Sequence, residues 1–221
     1  MAKGKGKKII GAVTENETGT DIREKLDLPQ VYLRYQYAID LMMAKLRLMN
    51  ADLSGACGRQ VIRNMSSRIK TADSMIKKLI KKGRNVDFET AITTLNDIAG
   101  VRVVCYFSDD IYRVADAVRS QKDFRLIKEK DYVKNPKKTG YQSVHLIVGV
   151  PFTYIDSTQE IRVELQIRSF AMDYWAELDN QMCYKKNVSE IENIGRETKK
   201  YSDVIAEVDS KMLELRKRIC P

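Results

Sequence analysis

The chain of 221 residues contains a single histidine, His145. That count excludes a phosphohydrolase whose metal centre is built on several histidines. Cysteine is also scarce. Cys57, Cys105, Cys183 and Cys220 are scattered, with no C-x-x-C spacing, which argues against a zinc site and a disulfide framework and favours a reducing cytoplasm. No apolar run reaches the roughly 18 residues of a membrane span, and no signal-peptide pattern opens the chain, so no membrane partner is expected. Acid is nearly missing from two stretches. Residues 1–8 hold four lysines and no acid, and residues 59–84 hold nine basic residues against Asp73 alone. These stretches, with a central lysine loop, carry most of the net charge of +9. Positive charge localised in this way calls for an anionic partner such as a nucleotide or RNA.

What is present can fill a core, with 43% of the residues hydrophobic, and the length is enough for one large domain or one domain with helical extensions. Residues 1–20, rich in Gly, Lys, Thr and Glu, read as a disordered basic tail. Pro29 can open a helix, and Tyr32, Tyr35, Ala38, Ile39, Met42, Met43, Leu46 and Met49 follow at helical spacing. Asn50 to Gly58, with two glycines, reads as a break. Ser66 to Lys70 reads as a short strand feeding a helix capped near Thr71 or Asp73, with Met75, Ile76, Leu79 and Ile80 as its buried stripe. Gly83 ends that helix, and Phe88 to Leu95 forms another. Val101 to Phe107 is a valine-rich strand. Asp109 or Asp110 is expected to cap a helix reaching Ser120, with Ile111, Val114, Ala115 and Val118 inward. Strands follow at Phe124 to Tyr132, from Gln142 to Phe152, and at Ile161 to Arg168. Phe170 to Tyr184 is helical, with Trp175 and Leu178 buried. Beyond Val188, apolar residues from Ile191 to Ile219 recur every three or four positions as an amphipathic helix or helix pair that packs on its own domain or on another subunit. The expected fold is α/β: a mixed sheet of about five strands flanked by helices, with helical extensions at both ends. The domain should run over residues 21–185, with a C-terminal extension over 186–221.

Three stretches carry chemistry. Residues 130–146 set four lysines, Pro136 and Gly140 ahead of Tyr141 and then enter a strand. Asn135-Pro136 and Thr139-Gly140 are turn pairs, so 134–140 is a loop whose lysines suit a polyanion, with Tyr141 as a face for stacking a base. Arg68-x-Lys70 ahead of a helix N-terminus suits a polyphosphate. The strand at 161–168 alternates Ile161, Val163, Leu165 and Ile167 with Arg162, Glu164, Gln166 and Arg168. If that polar row faces the lysine loop, Glu164 is the natural metal ligand or base. Asp97, on the turn before the valine-rich strand, can reach a metal at the strand edge.

Taken together these pieces resemble the bacterial small alarmone synthetases, single-domain relatives of the long RelA/SpoT stringent-response enzymes. The resemblance rests on Arg68-x-Lys70-x-x-x-Ser74-x-x-x-Lys78, on Asp97-Ile98-Ala99-Gly100-Val101-Arg102, on Lys134-Asn135-Pro136-Lys137 with Gly140-Tyr141-Gln142-Ser143-x-His145, and on Glu164-Leu165-Gln166-Ile167-Arg168. These occur in the family's order and cover about residues 60–185. The resemblance implies the family's nucleotidyltransferase-like synthetase fold and a GTP pyrophosphokinase, which moves the β,γ-pyrophosphate of ATP onto the 3′-hydroxyl of GDP or GTP. It implies Mg²⁺ held by Asp97 and Glu164, with Glu164 also the base. ATP would meet Arg68, Lys70, Ser74, Lys78 and Arg102, the two arginines flanking adenine. The guanine nucleotide would meet Lys134, Lys137, Tyr141, His145 and Gln166. A homotetramer through the terminal helices is implied too, and single-stranded RNA or an alarmone stands as a conceivable regulator. Lys81 stands where the family often has arginine, and residues 52–67 resemble it least.

Two other functions fit a basic α/β chain. A nucleotidyltransferase acting on RNA would more often carry a Gly-Ser followed by a close Asp-x-Asp pair, which this sequence lacks. A non-catalytic RNA-binding module would need the cations without an essential pair of acids.

Overall fold

The structure, a computed structural model, describes residues 19–154, 157–183 and 191–219. The expected basic tail lies outside the described residues except for its last two positions. The chain divides into two compact units: Met1–Tyr32 with Thr71–Leu95, and Leu33–Lys70 with Asn96–Pro221.

The smaller unit is helical. It holds α1 (Thr20–Leu26), α3 (Ala72–Lys81) and α4 (Phe88–Thr94), and the second helix of the chain, α2 (Pro29–Cys57), begins in it. Ile22, Leu26, Met75 and Leu79 are buried. Gly19 has φ +90°, a left-handed conformation that favours glycine, and a Cβ there would come within 2.4 Å of Cδ1 at the end of the Ile76 side chain. The Asp21 carboxylate accepts a hydrogen bond from the Phe88 amide at 2.8 Å, and Asp87 caps α4 through the Thr90 amide at 2.7 Å. Thr71 caps α3, its hydroxyl accepting from the Ser74 amide. Ile80, expected on the buried stripe, is 58% exposed. α1 packs on α3, whose Met75, Ile76 and Leu79 are buried, and Ile80 lies at the edge of the arc these residues span.

The larger unit is built on a five-stranded mixed sheet of order β1-β2-β5-β4-β3. Its strands are β1 (Ile62–Ile69), β2 (Ala99–Cys105), β3 (Arg125–Asp131), β4 (Val144–Tyr154) and β5 (Ser157–Ser169). Only β2 and β5 pair in parallel; the other neighbours are antiparallel. The period-two pattern sets one apolar face. Val101, Val103, Leu146, Val148, Val163, Leu165 and Ile167 on that face join Ile39, Met42 and Leu46 of α2 and Ile111, Val114 and Val118 of α5 (Ser108–Arg119) in one core. Such a half-buried sheet leaves its second face free for polar work.

Three expectations change here. The break at Asn50 to Gly58 does not occur: α2 runs to Cys57 and the chain turns only at Gly58, φ +61°. A lone glycine costs a helix about 1 kcal/mol. Against that, Asn50 accepts hydrogen bonds from the Ser54 hydroxyl and the Ile62 amide, tying the helix end to β1. Neither Asp109 nor Asp110 caps α5, whose N-cap is Phe107. Asp110 is instead buried in a two-pronged pair with Arg59, both contacts at 2.8 Å, and Asp109 binds Arg216. β4 starts at Val144 rather than Gln142, because Tyr141–Ser143 still belong to the loop.

The last two helices are α6 (Phe170–Cys183) and α7 (Ile191–Ile219). On α6 Trp175 is buried, but Leu178, expected beside it, is 44% exposed. α7 presents to its own domain a polar side: Thr198, Ser202 and Asp209 are buried. The Thr198 carbonyl accepts from the Trp175 indole at 2.9 Å, and Asp209 accepts from the Ser169 hydroxyl at 2.6 Å. Tyr201, Val204, Val208, Met212, Leu215 and Ile219 face outward. Among the described residues, no helix is long and apolar enough to cross a membrane.

Candidate active site

The second face of the sheet carries the site. Residues paired across strands share a face, and two rows run through it. One is Arg68, Gly100, Glu164 and Ile147, and the next is Ser66, Arg102, Gln166 and His145. The parallel pairing of β2 with β5 therefore joins two sequence-distant motifs. Asp97, on the turn two residues before β2, closes the same corner. An open cleft is lined by Arg68, Asp97, Arg102, Glu164 and Gln166, with Ser66, Ser67, Gly100 and Val101. The two acids thus meet in one cleft.

Each charged group here has a definite setting. Lys70 lies 3.3 Å from the Asp97 carboxylate, both side chains mostly shielded from water, and its amide donates to the Ile98 carbonyl at 2.7 Å. Arg102 is held from α6 by Glu177 and by Asp173, the latter at 3.5 Å. The Gln166 amide donates to Glu164 Oε2 at 2.8 Å, and His145 Nδ1 lies 3.4 Å from Glu164 Oε1.

The lysine loop joins this face through Tyr141. Its hydroxyl is 2.8 Å from His145 Nε2 and accepts from Arg168 Nη2 at 2.9 Å. His145 is buried and stands edge-on to the rings of Tyr132 and Tyr141, at 5.2 and 5.7 Å. Lys137 holds its ammonium 4.4 Å above Tyr141 and 4.7 Å above Tyr132. Lys134 turns to Tyr112 and to Asp131, the latter at 3.8 Å. The root of the loop is fixed by α7: Gly140, φ +93°, accepts from the buried Ser202 hydroxyl at 2.6 Å, and a Cβ there would stand 2.6 Å from Ser202 Cβ.

Of the residues singled out in the sequence, Arg68, Asp97, Arg102, Glu164 and Gln166 line one cleft, with Lys70 on Asp97. Tyr141 and His145 join them by hydrogen bonds, Lys137 covers Tyr141, and Lys134 stays with Asp131. Ser74 and Lys78 belong to the smaller unit, on α3. Arg168, Asp173, Glu177 and Ser202 were not singled out as site residues. Arg168 had a signal, as the last member of the polar row on β5. The two α6 acids and Ser202 had none, since their partners come from other elements.

Among the described residues, no group of three or more His, Cys, Asp and Glu side chains could hold a metal ion. The donor set of the cleft, two carboxylates, still suits Mg²⁺, which takes one or two carboxylates and fills its octahedron with water and phosphate oxygens. Two carboxylates among Arg68, Lys70 and Arg102 are the equipment of a phosphoryl- or pyrophosphoryl-transfer enzyme.

Residues 67–189 match the family described as a region found in RelA / SpoT proteins, and the chain belongs to it. It is 33% identical over 187 residues to a GTP pyrophosphokinase, YwaC, of Bacillus subtilis, covering 85% of this chain and 89% of that protein. A second GTP pyrophosphokinase of that organism, YjbM, is 29% identical over 82% of this chain and 85% of its own length. Among solved structures, the small alarmone synthetase 1 of Bacillus subtilis bound to its product pppGpp superimposes with a TM-score of 0.77 at 27% identity, over 86% of this chain and 96% of that one.

Proposed function

We propose that this chain transfers the β,γ-pyrophosphate of ATP to the 3′-hydroxyl of GDP or GTP, giving AMP and ppGpp or pppGpp. The observation that carries this is the meeting of Asp97 and Glu164 in one cationic cleft, in a chain of the RelA / SpoT family. The substrates bring dense negative charge, so catalysis is mostly positioning and charge neutralisation. Arg68 and Arg102 offer guanidinium planes to the adenine. Lys70, Ser74 and Lys78 would take the ATP phosphates. Lys137 and Lys134 would take the 5′-phosphates of the guanine nucleotide. The guanine would stack on Tyr141 once Lys137 leaves that ring, with Gln166 and His145 on its border.

Glu164 accepts the proton of the 3′-hydroxyl as its oxygen bonds to the β-phosphorus of ATP. The bond from that phosphorus to the α–β bridging oxygen breaks, and AMP leaves with the electron pair. A weak base such as a carboxylate can do this only in step with bond formation. Asp97 and Glu164 would hold Mg²⁺, which when bound supplies charge neutralisation and polarises the attacked phosphorus.

The finer parts of the proposal are a cytoplasmic setting, a homotetramer assembled through the outward apolar stripe of α7, and regulation by single-stranded RNA or alarmone at cationic surface. The exposed loop lysines support the last of these, and the length of the α7 stripe supports the second.

The test is direct. The chain incubated with labelled ATP, GDP and magnesium should yield AMP and a guanosine bearing a 3′-pyrophosphate, resolved by chromatography. Glu164→Gln should lower turnover by about 10²–10⁴-fold with unchanged circular dichroism. Formation of ADP, or no loss in the variant, would refute the assignment.

A further inference from the structure

Arg168 ends the polar row of β5, and its guanidinium is almost wholly buried. Nη1 donates to Asp173 of α6 at 3.2 Å, and Nη2 donates both to the Tyr141 hydroxyl oxygen and to Gln166 Oε1, each at 2.9 Å. From there the donors all point one way. Gln166 gives its amide proton to Glu164 Oε2. The Tyr141 oxygen, already accepting from the arginine, has its own proton to give, and His145 Nε2 is 2.8 Å away. A neutral imidazole carries one N–H. With Nε2 accepting, that proton sits on Nδ1, which faces Glu164 Oε1 at 3.4 Å. Two relays thus leave one guanidinium: one ends in a hydrogen bond on Glu164 Oε2, and the other brings the imidazole to 3.4 Å from Oε1 of the same carboxylate.

We propose that Arg168 is the positioning residue of this site: through these two relays it sets the orientation of the Tyr141 ring and of the Glu164 carboxylate together. The role rests on the transfer reaction proposed above, in which those two groups serve guanine and the 3′-hydroxyl. Stability alone does not account for an arginine here. Its Nε is buried without a partner among the described residues, a desolvation penalty that a purely structural side chain would avoid. The planar fork is what lets one group reach Asp173, Tyr141 and Gln166 at once; a lysine ammonium has no such geometry.

The solitary histidine makes the relay visible without any turnover. In the full chain labelled with ¹⁵N-histidine, at pH 8, the wild type should show the Nδ1–H tautomer. In Arg168→Lys the population should move toward Nε2–H. Turnover should fall by about tenfold or more, while the KM for ATP stays within about twofold. Adding Tyr141→Phe to Arg168→Lys should cost less than the product of the two single losses, because both cut the same relay. An unchanged tautomer in Arg168→Lys, wild-type turnover, or multiplicative losses would overturn the proposal. Should Arg168→Lys fail to fold by circular dichroism, Tyr141→Phe alone decides: it removes only the hydroxyl, and an unaltered tautomer there refutes the relay. A wild type that makes no alarmone would refute the reaction instead, and the tautomer comparison would still decide the role of Arg168.

Discussion

Asp209 shows what a single carboxylate does when α7 turns its polar side inward. Burial, first, and the charge of Asp109 push its pKa up, while the hydrogen bond from Ser169 only partly offsets them. An acid whose folded pKa lies above its unfolded value favours folding fully below the unfolded value, near 3.8. That contribution is lost as pH rises through the folded value, so the ionised form weakens the fold at neutral pH. Asp209→Asn keeps an oxygen for Ser169 and removes the charge. It should raise the melting temperature at pH 7.5 by about 2–4 °C, and scanning fluorimetry should show the gain shrinking toward pH 4. Asp109 behaves in the opposite way. Burial pushes its pKa up, but Arg216 and Arg113 together outweigh that and hold it down. At this scale the sequence was readable for chemistry more than for surroundings. Glu164 and Asp97 stand out as acids among cations, whereas nothing around Arg168 in sequence reveals that it reaches Tyr141.

Elements were legible where one period governed them. β5 alternates cleanly from Ile161 to Ile167, with its apolar residues buried and its polar ones half-exposed, and α5 buries the stripe its spacing predicts. Two features were not legible. The register that sets Gly100 opposite Glu164 is a property of topology, and residue types do not encode it locally. The inversion of α7 was hidden because apolar spacing normally marks the inward side. Here Thr198, Ser202 and Asp209 find partners on α6, on the loop and at the end of β5, and the apolar side is left outside. Gly140 is where that docking meets the site. Gly140→Ala would strain a positive φ and drive its methyl group against Ser202, forcing loop and helix apart. A rise of about tenfold or more in the KM for the guanine nucleotide is expected, with the KM for ATP unchanged within about twofold. Steady-state kinetics on each substrate would test it, and equal rises for both would contradict it.

For the molecule as a whole, the outward stripe from Tyr201 to Ile219 is the feature that most needs explaining, with every member at least 47% exposed. Apolar patches of such length mark interaction surfaces. Light scattering should give a mass several times the 25.4 kDa of the chain, and Val208→Glu with Met212→Glu should return it to the monomer; a monomeric wild type would defeat the tetramer proposal. The parallel pairing of β2 and β5 has its own consequence. No tight turn can join parallel neighbours, so α5, β3 and β4 all intervene between Asp97 and Glu164. Non-local pairings of this kind close late. A chain still emerging from the ribosome, or one refolding from denaturant, brings its two acids within reach of each other only when β5 enters the centre of the sheet beside β2. Half-made copies would therefore be unable to consume ATP.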